Sequence, residues 1–261
     1  MGTRLADRLL CAVFVMSVCA VYLPIFVMAI SSFSSNRFQT LPFRDATFEW
    51  YRHVFLDGQY TDGFLNSLMI AASVSLTASA IGFFCAYSLV NAQFPGKTAL
   101  LLFVLAPLVV PMLLVGISLR LYFTRLGIQP SLVLVYIGQV LYVLPLAVLN
   151  LRNRLAQIPK SHEEAAWALG ASRMTAIWDI VLPSCRLTLI ATLILTFTFA
   201  FDEFTVAYFL TNFSITLPIK IWTTLVTGFD PAINALGVLV FLFSMALGLV
   251  AQWLFMRQDV R

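Results

Sequence analysis

EAAWALGASRMTAIWDIVLP, residues 164–183, is a polar, helix-forming stretch set between two long apolar runs. Ser161, just ahead of it, stands three residues before Glu164 in the spacing of a capping box, where each side chain satisfies an orphan amide of the first turn. Ala165, Ala166, Ala168 and Leu169 favour helix, and Gly170 is placed to stop it or to let another backbone come close. The segment reads as a short capped helix held at a membrane surface by the runs on either side, a natural handle for a soluble partner.

Outward from that stretch, composition sets the class. The chain is 61% hydrophobic and 11% charged, with a mean hydropathy of +0.92, whereas a soluble domain carries about 25% charged residues. Apolar runs of about twenty residues recur along it, each matching the thickness of a bilayer's hydrocarbon core. Backbone polar groups in lipid must be satisfied within the segment, which predicts an all-α membrane protein. Six transmembrane helices are expected, at about 9–31, 64–91, 98–123, 131–151, 185–211 and 233–256. The first run is too long for a cleaved signal peptide and is kept as a helix. No repeat or linker divides the chain, so residues 1–261 are read as a single transmembrane domain. Pro24, Pro107, Pro111 and Pro145 fall in or near spans, where proline breaks the amide ladder, and Pro107 and Pro111 are the hinge candidates.

Lys and Arg decide the orientation. With a cytoplasmic amino terminus, Arg4, Arg8, Lys97, Arg152, Arg154, Lys160, Arg173, Arg186, Arg257 and Arg261 lie inside, while Arg37, Arg44, Arg52, Arg120, Arg125 and Lys220 lie outside; these are all 16 basic residues of the chain. The outside loops also hold Asp45, Glu49, Asp57 and Asp62. Both termini and the 152–184 loop are thus expected in the cytoplasm. The net charge of +4 belongs to this loop asymmetry and gives no reason to expect nucleic acid as a partner. In the loop from about 32 to 63, Trp50 and Tyr51 are placed like interfacial anchors.

The unusual polar pair within the spans is Asp202-Glu203, in TFAFDEFTVAYFLT. Charge at this depth is costly, about 2.5 kcal/mol or more for Asp at a helix centre, and is normally turned toward a cavity or partner. Adjacent helix positions diverge by about 100°, so one carboxylate is expected to line a translocation pathway while the other pairs or snorkels. The alternative is a span that ends earlier and leaves the pair wet.

The pattern Glu164-Ala165-Ala166, Gly170, Ile180, Leu182-Pro183 resembles the cytoplasmic signature of bacterial ABC importer permeases, position for position. LPIFVMAISSF (23–33), FEWY near residue 50, LPIKIWTTLVTGFDPAINAL (217–236) and the acidic position followed by Phe204 narrow the resemblance to the short permease of spermidine/putrescine importers. The resemblance implies a type I permease fold with a cytoplasmic coupling helix between helices 4 and 5, carrying Glu164, Ala165, Ala166 and Gly170. It implies two copies of a cytoplasmic ATPase subunit, a second, non-identical permease, and a periplasmic solute-binding protein. ATP and Mg would sit on the ATPase, and this chain in the inner membrane would hold no cofactor. The expected cargo is a polyamine or related small cation, with Asp202 and Glu203 suited to it and Phe199, Phe201, Phe204 and Tyr208 able to add cation–π contacts. Relatives of that group also carry opines, amino acid derivatives, iron or thiamine. A secondary transporter would show paired repeats with broken helices, which the sequence lacks.

Other signals fall away. Gly96-Lys97-Thr98 mimics the end of a phosphate-binding loop, but the glycine that loop needs is Asn91 here. His53 and His162 are far apart, and Cys11, Cys19, Cys85 and Cys185 show no CxxC spacing, so no metal site or disulfide is expected. Asn212-Phe213-Ser214 fits a glycosylation pattern, but the family it resembles is bacterial, which makes the match incidental. No nucleophile, base and orienter come together, so no catalytic residue is expected.

Overall fold

The computed structural model describes residues 2–35, 45–212, 214–228 and 230–259. Arg37, Arg44, Phe213, Phe229 and Arg261, used above for topology, resemblance or the glycosylation pattern, lie outside the described residues. In chain order the helices are α1 (Gly2–Ser31), α2 (Glu49–Leu56), α3 (Gly58–Asn91), α4 (Lys97–Val109), α5 (Met112–Arg125), α6 (Leu132–Leu155) and α7 (Ser161–Ala168). Then follow α8 (Arg173–Ala176), a π-helical turn (Ile177–Val181), α9 (Leu182–Ser184), α10 (Arg186–Phe201), α11 (Thr205–Leu210), α12 (Leu217–Thr227) and α13 (Ala232–Asp259). Among the described residues, four helices are long and apolar enough to cross a membrane, and up to six spans result if each of two bent pairs counts as one.

The bends correct two of the expected spans. The third is not one helix: α4 and α5 meet at 103°. Val110 is extended, with ψ 129°, because the ring of Pro111 excludes the helical conformation from the residue before it. Pro107 lies within α4, which continues past it to Val109, and Pro24 and Pro145 likewise sit inside α1 and α6. The fifth span is not continuous over 185–211 either. It bends by 74° at Cys185, ends at Phe201 and restarts at Thr205.

The chain groups into two compact units, Met1–Thr61 with Ile221–Phe243, and Asp62–Lys220 with Ser244–Arg261. In the first, α1 presents Leu10, Phe14 and Phe26 outward, an apolar surface for which lipid is the fitting solvent. Trp50 and Tyr51, expected at an interface, hydrogen-bond to the residues that follow α1. The indole of Trp50 donates to the Ser34 carbonyl at 2.7 Å, and the Tyr51 hydroxyl meets that of Ser32 at 2.7 Å. The buried Tyr60 donates to Asp230 at 3.1 Å, and the other carboxylate oxygen of Asp230 accepts the Ala232 amide at 2.9 Å, capping the start of α13.

In the second unit, α6 is the central helix, packed by α4, α10 and α11, while α5 packs on α11. Small residues permit the close approaches. A Cβ added at Gly82 of α3 would fall 2.8 Å from that of Ala147 on α6, and one at Gly138 of α6 would fall 2.6 Å from Val206 on α11. Some hydroxyls in the spans bond to carbonyls one turn back, as Ser88 does to Phe84 at 2.9 Å and Thr196 to Thr192 at 2.8 Å, and so are already satisfied within their own helix.

Candidate functional site

The 161–184 segment is a short helix, a sharp stop and a second, bent helix. α7 starts one residue earlier than a capping box requires. Lys160 is already helical (φ −61°, ψ −26°), and its carbonyl accepts the Glu164 amide at 3.0 Å. Ser161 is thereby drawn into the first turn and no side-chain cap forms, which corrects the expected Ser161–Glu164 box. The far end closes as the sequence suggests. Gly170 is left-handed (φ +88°), the Ala171 amide bonds the Ala166 carbonyl at 3.0 Å, and the Gly170 amide bonds that of Trp167 at 3.0 Å. This is a complete Schellman motif, and its left-handed position is the one that favours glycine.

Glu164 and Ala165 are exposed, Ala166 is half-buried, and Leu169 is 90% exposed. Trp167 and Met174 are exposed beside them, with the Arg173 guanidinium 5.9 Å from the Trp167 ring. The acidic residue that the fold uses internally is the neighbour, Glu163, only 5% exposed. It accepts the Tyr87 hydroxyl at 2.6 Å and the Asn91 amide at 3.3 Å, both from the last turns of α3. The one hint in sequence is that Tyr87 and Asn91 stand four apart at the end of an apolar run, hence on one face. Nothing there points to a partner more than seventy residues away.

Beneath the segment lies an apolar core. Ile177 and Val181 of the π turn are buried with Phe83, Ala86, Leu151 and Leu155, and Leu182 packs against them. Ile180, the signature position, is half-buried. The Leu182 amide reaches back to the Ile177 carbonyl, the bond that defines the π turn. At the 74° bend, the Ser184 carbonyl accepts from the Arg154 guanidinium at 3.1 Å.

The acidic pair separates by environment. Glu203 is 8% exposed. Its carboxylate accepts the Val206 amide at 2.8 Å and the Ala207 amide at 3.1 Å, capping α11 where the span restarts. Gln139 of α6 donates to it at 3.5 Å. Asp202 is exposed and, with Met112, Tyr142, Thr198, Phe199, Glu203 and Phe204, lines an open cavity of about 450 Å³. Both carboxylates border this space of small-molecule size, but that of Glu203 is engaged by the α11 amides while Asp202 is exposed. Among the described residues, no group of three or more His, Cys, Asp or Glu could hold a metal ion.

Comparison with known proteins places this geometry. Residues 78–261 match the family described as binding-protein-dependent transport system inner membrane component. The spermidine/putrescine transport system permease protein PotC of Escherichia coli K12 is 29% identical over 232 residues, covering 88% of each chain. The putrescine transport system permease protein PotI of the same strain is 28% identical over 246 residues, covering 91% of this chain and 87% of its own. In three dimensions, a chain of a bacterial ABC transporter that imports the acidic polysaccharide alginate superposes with a TM-score of 0.75 at 18% identity, covering 97% of both chains. The all-helical fold is that of ABC importer membrane subunits. Several apolar spans make the chain a multi-pass inner membrane protein. It belongs to the family of binding-protein-dependent transport system inner membrane components and is a permease subunit of an ABC importer.

Proposed function

We propose that this permease moves a polyamine, putrescine or spermidine, or a related small organic cation, with Asp202 facing it on the way. The observation that carries this reading is the placement of Asp202 in a cavity walled by Tyr142, Phe199 and Phe204. A carboxylate supplies charge, and aromatic faces attract an ammonium group without trapping it. The two relatives named for polyamine transport support it. Glu203, committed to the α11 cap, shapes the wall and leaves the charge facing the cavity to Asp202.

In this reading Glu164, Ala165, Ala166 and Gly170 form the docking segment for one of two cytoplasmic ATPase subunits, which hold ATP and Mg. The exposed Leu169, Trp167 and Met174 supply apolar contact to a partner groove. Both termini lie on the same cytoplasmic side. A second, non-identical permease completes the pore, and a periplasmic binding protein delivers the solute. ATP binding favours the outward-open state only to the extent that the ATPase pair grips the permeases more tightly there. Hydrolysis on the partner then resets the inward state, so no chemical step falls on this chain.

The test uses the complete complex in lipid nanodiscs with its binding protein. Putrescine or spermidine is expected to stimulate hydrolysis, and a non-cationic solute is not. Asp202→Asn is expected to leave the complex assembled and reduce uptake of the cation about tenfold, the size of a lost charged contact. Stimulation by a neutral solute alone, or parental uptake by Asp202→Asn, removes the cation from the reading.

A further inference from the structure

Glu163 is the one acidic residue of the 161–168 helix that the docking surface does not use. α3 has 34 residues, about 50 Å at 1.5 Å per residue, whereas the hydrocarbon it crosses is about 30 Å thick. About 20 Å of its length therefore lies outside the hydrocarbon. In its last two turns Tyr87 and Asn91 close on the two oxygens of the Glu163 carboxylate, at 2.6 and 3.3 Å. A buried carboxylate is tolerated only with such partners in place. α7 is eight residues long, too short to be stable on its own amide ladder, so its position is set by what it is fastened to. The apolar core alongside supplies attraction without direction, while two hydrogen bonds to one carboxylate fix a single register.

We infer that Glu163 is the positioning residue that joins the docking helix to α3, so that a displacement of α7 by its partner is delivered to a membrane-crossing helix through Tyr87 and Asn91. The inference rests on the docking role given to residues 164–170 above. It separates two neighbouring acids: Glu164 faces outward to a partner, and Glu163 faces inward to the spans. Removing the clasp is expected to leave docking intact and make hydrolysis idle.

The experiment uses the assembled complex in nanodiscs and three readouts: co-purification of the ATPase, solute-stimulated hydrolysis, and solute moved per ATP hydrolysed. Glu163→Ala is expected to keep co-purification and hydrolysis while the transport-to-hydrolysis ratio falls about tenfold, as for a lost hydrogen bond to a charged group. Tyr87→Phe removes one hydroxyl and keeps the ring stacked on Phe83, centroids 6.5 Å apart, so it carries the test should the alanine variant fail to fold. A reduction in ratio of about threefold is expected there. Glu163→Gln retains an acceptor for Tyr87 and is expected to restore most of the ratio. Parental ratios in Glu163→Ala and Tyr87→Phe, in a parent complex that couples normally, overturn the role of Glu163 alone. Loss of ATPase co-purification in those variants overturns it too, because Glu163 would then act in docking. Failure of the parent chain to bind any ATPase overturns the docking reading itself, and this inference with it.

Discussion

At Gly170 it is the backbone angle that selects the residue. Nothing lies within 4 Å of a Cβ placed there, yet φ is +88°, a conformation that costs an L-residue about 1–2 kcal/mol. Substitutions should therefore rank by their tolerance of the left-handed region, with Asn the mildest, Ala worse and Val worst. Thermal stability of the complex and co-purification of the ATPase should follow that order. The reverse order for Asn and Ala would assign Gly170 to close contact with a partner, since Asn is the larger. The acidic pairs show the same dependence on setting. Glu163 and Glu164 are one chemical type side by side, as are Asp202 and Glu203 to within a methylene. In each pair one acid is buried against donors and the other is exposed.

Among the elements, the α4–α5 break has a local chemical cause, while the α10–α11 break has a tertiary one. Pro111 removes an amide donor and keeps Val110 out of the helical region, so the bend could be suspected from sequence, though not its 103°. Pro111→Ala is expected to broaden the distance between spin labels at positions 100 and 122 toward larger values, and to reduce uptake severalfold. An unchanged, narrow distance distribution would assign the bend to packing of α5 on α11 instead. No proline or glycine stands at Asp202–Phe204. The helix stops there because Glu203 caps a new start, held in place by Gln139 from α6. That contact joins residues 64 positions apart. This is why the fifth span was legible as an apolar run but not as two helices. The capping box failed for a related reason: spacing alone does not say where the first turn begins, and Lys160 had already entered it.

For the whole molecule, the distribution of Lys and Arg makes a claim that is independent of any contact. Both termini and the 152–184 loop should lie on one side of the membrane. Protease-cleavable tags at the two ends, and one inserted after Ser172, should all be cut in inside-out vesicles and protected in right-side-out ones. Opposite protection of the two ends would mean an odd number of crossings and would require recounting the bent pairs. The exposed apolar residues of α1 and the outer faces of α4 and α5 suit either lipid or a second permease.

The class of this protein was settled by sequence alone, because lipid leaves a chain so few solutions. Apolar run lengths, loop charge and the 164–183 signature are local properties, and they sufficed for a helical importer permease. Gly170 as a stop was equally legible, since a backbone angle is a property of one residue and its neighbours. Tertiary structure alone decided which acid of each pair is buried, where the fifth span stops and restarts, and that the end of α3 holds Glu163. Those outcomes depend on hydrogen bonds between residues 64 to 76 positions apart, Gln139 with Glu203 and Tyr87 and Asn91 with Glu163. A buried carboxylate needs donors, and only the folded chain brings them to it.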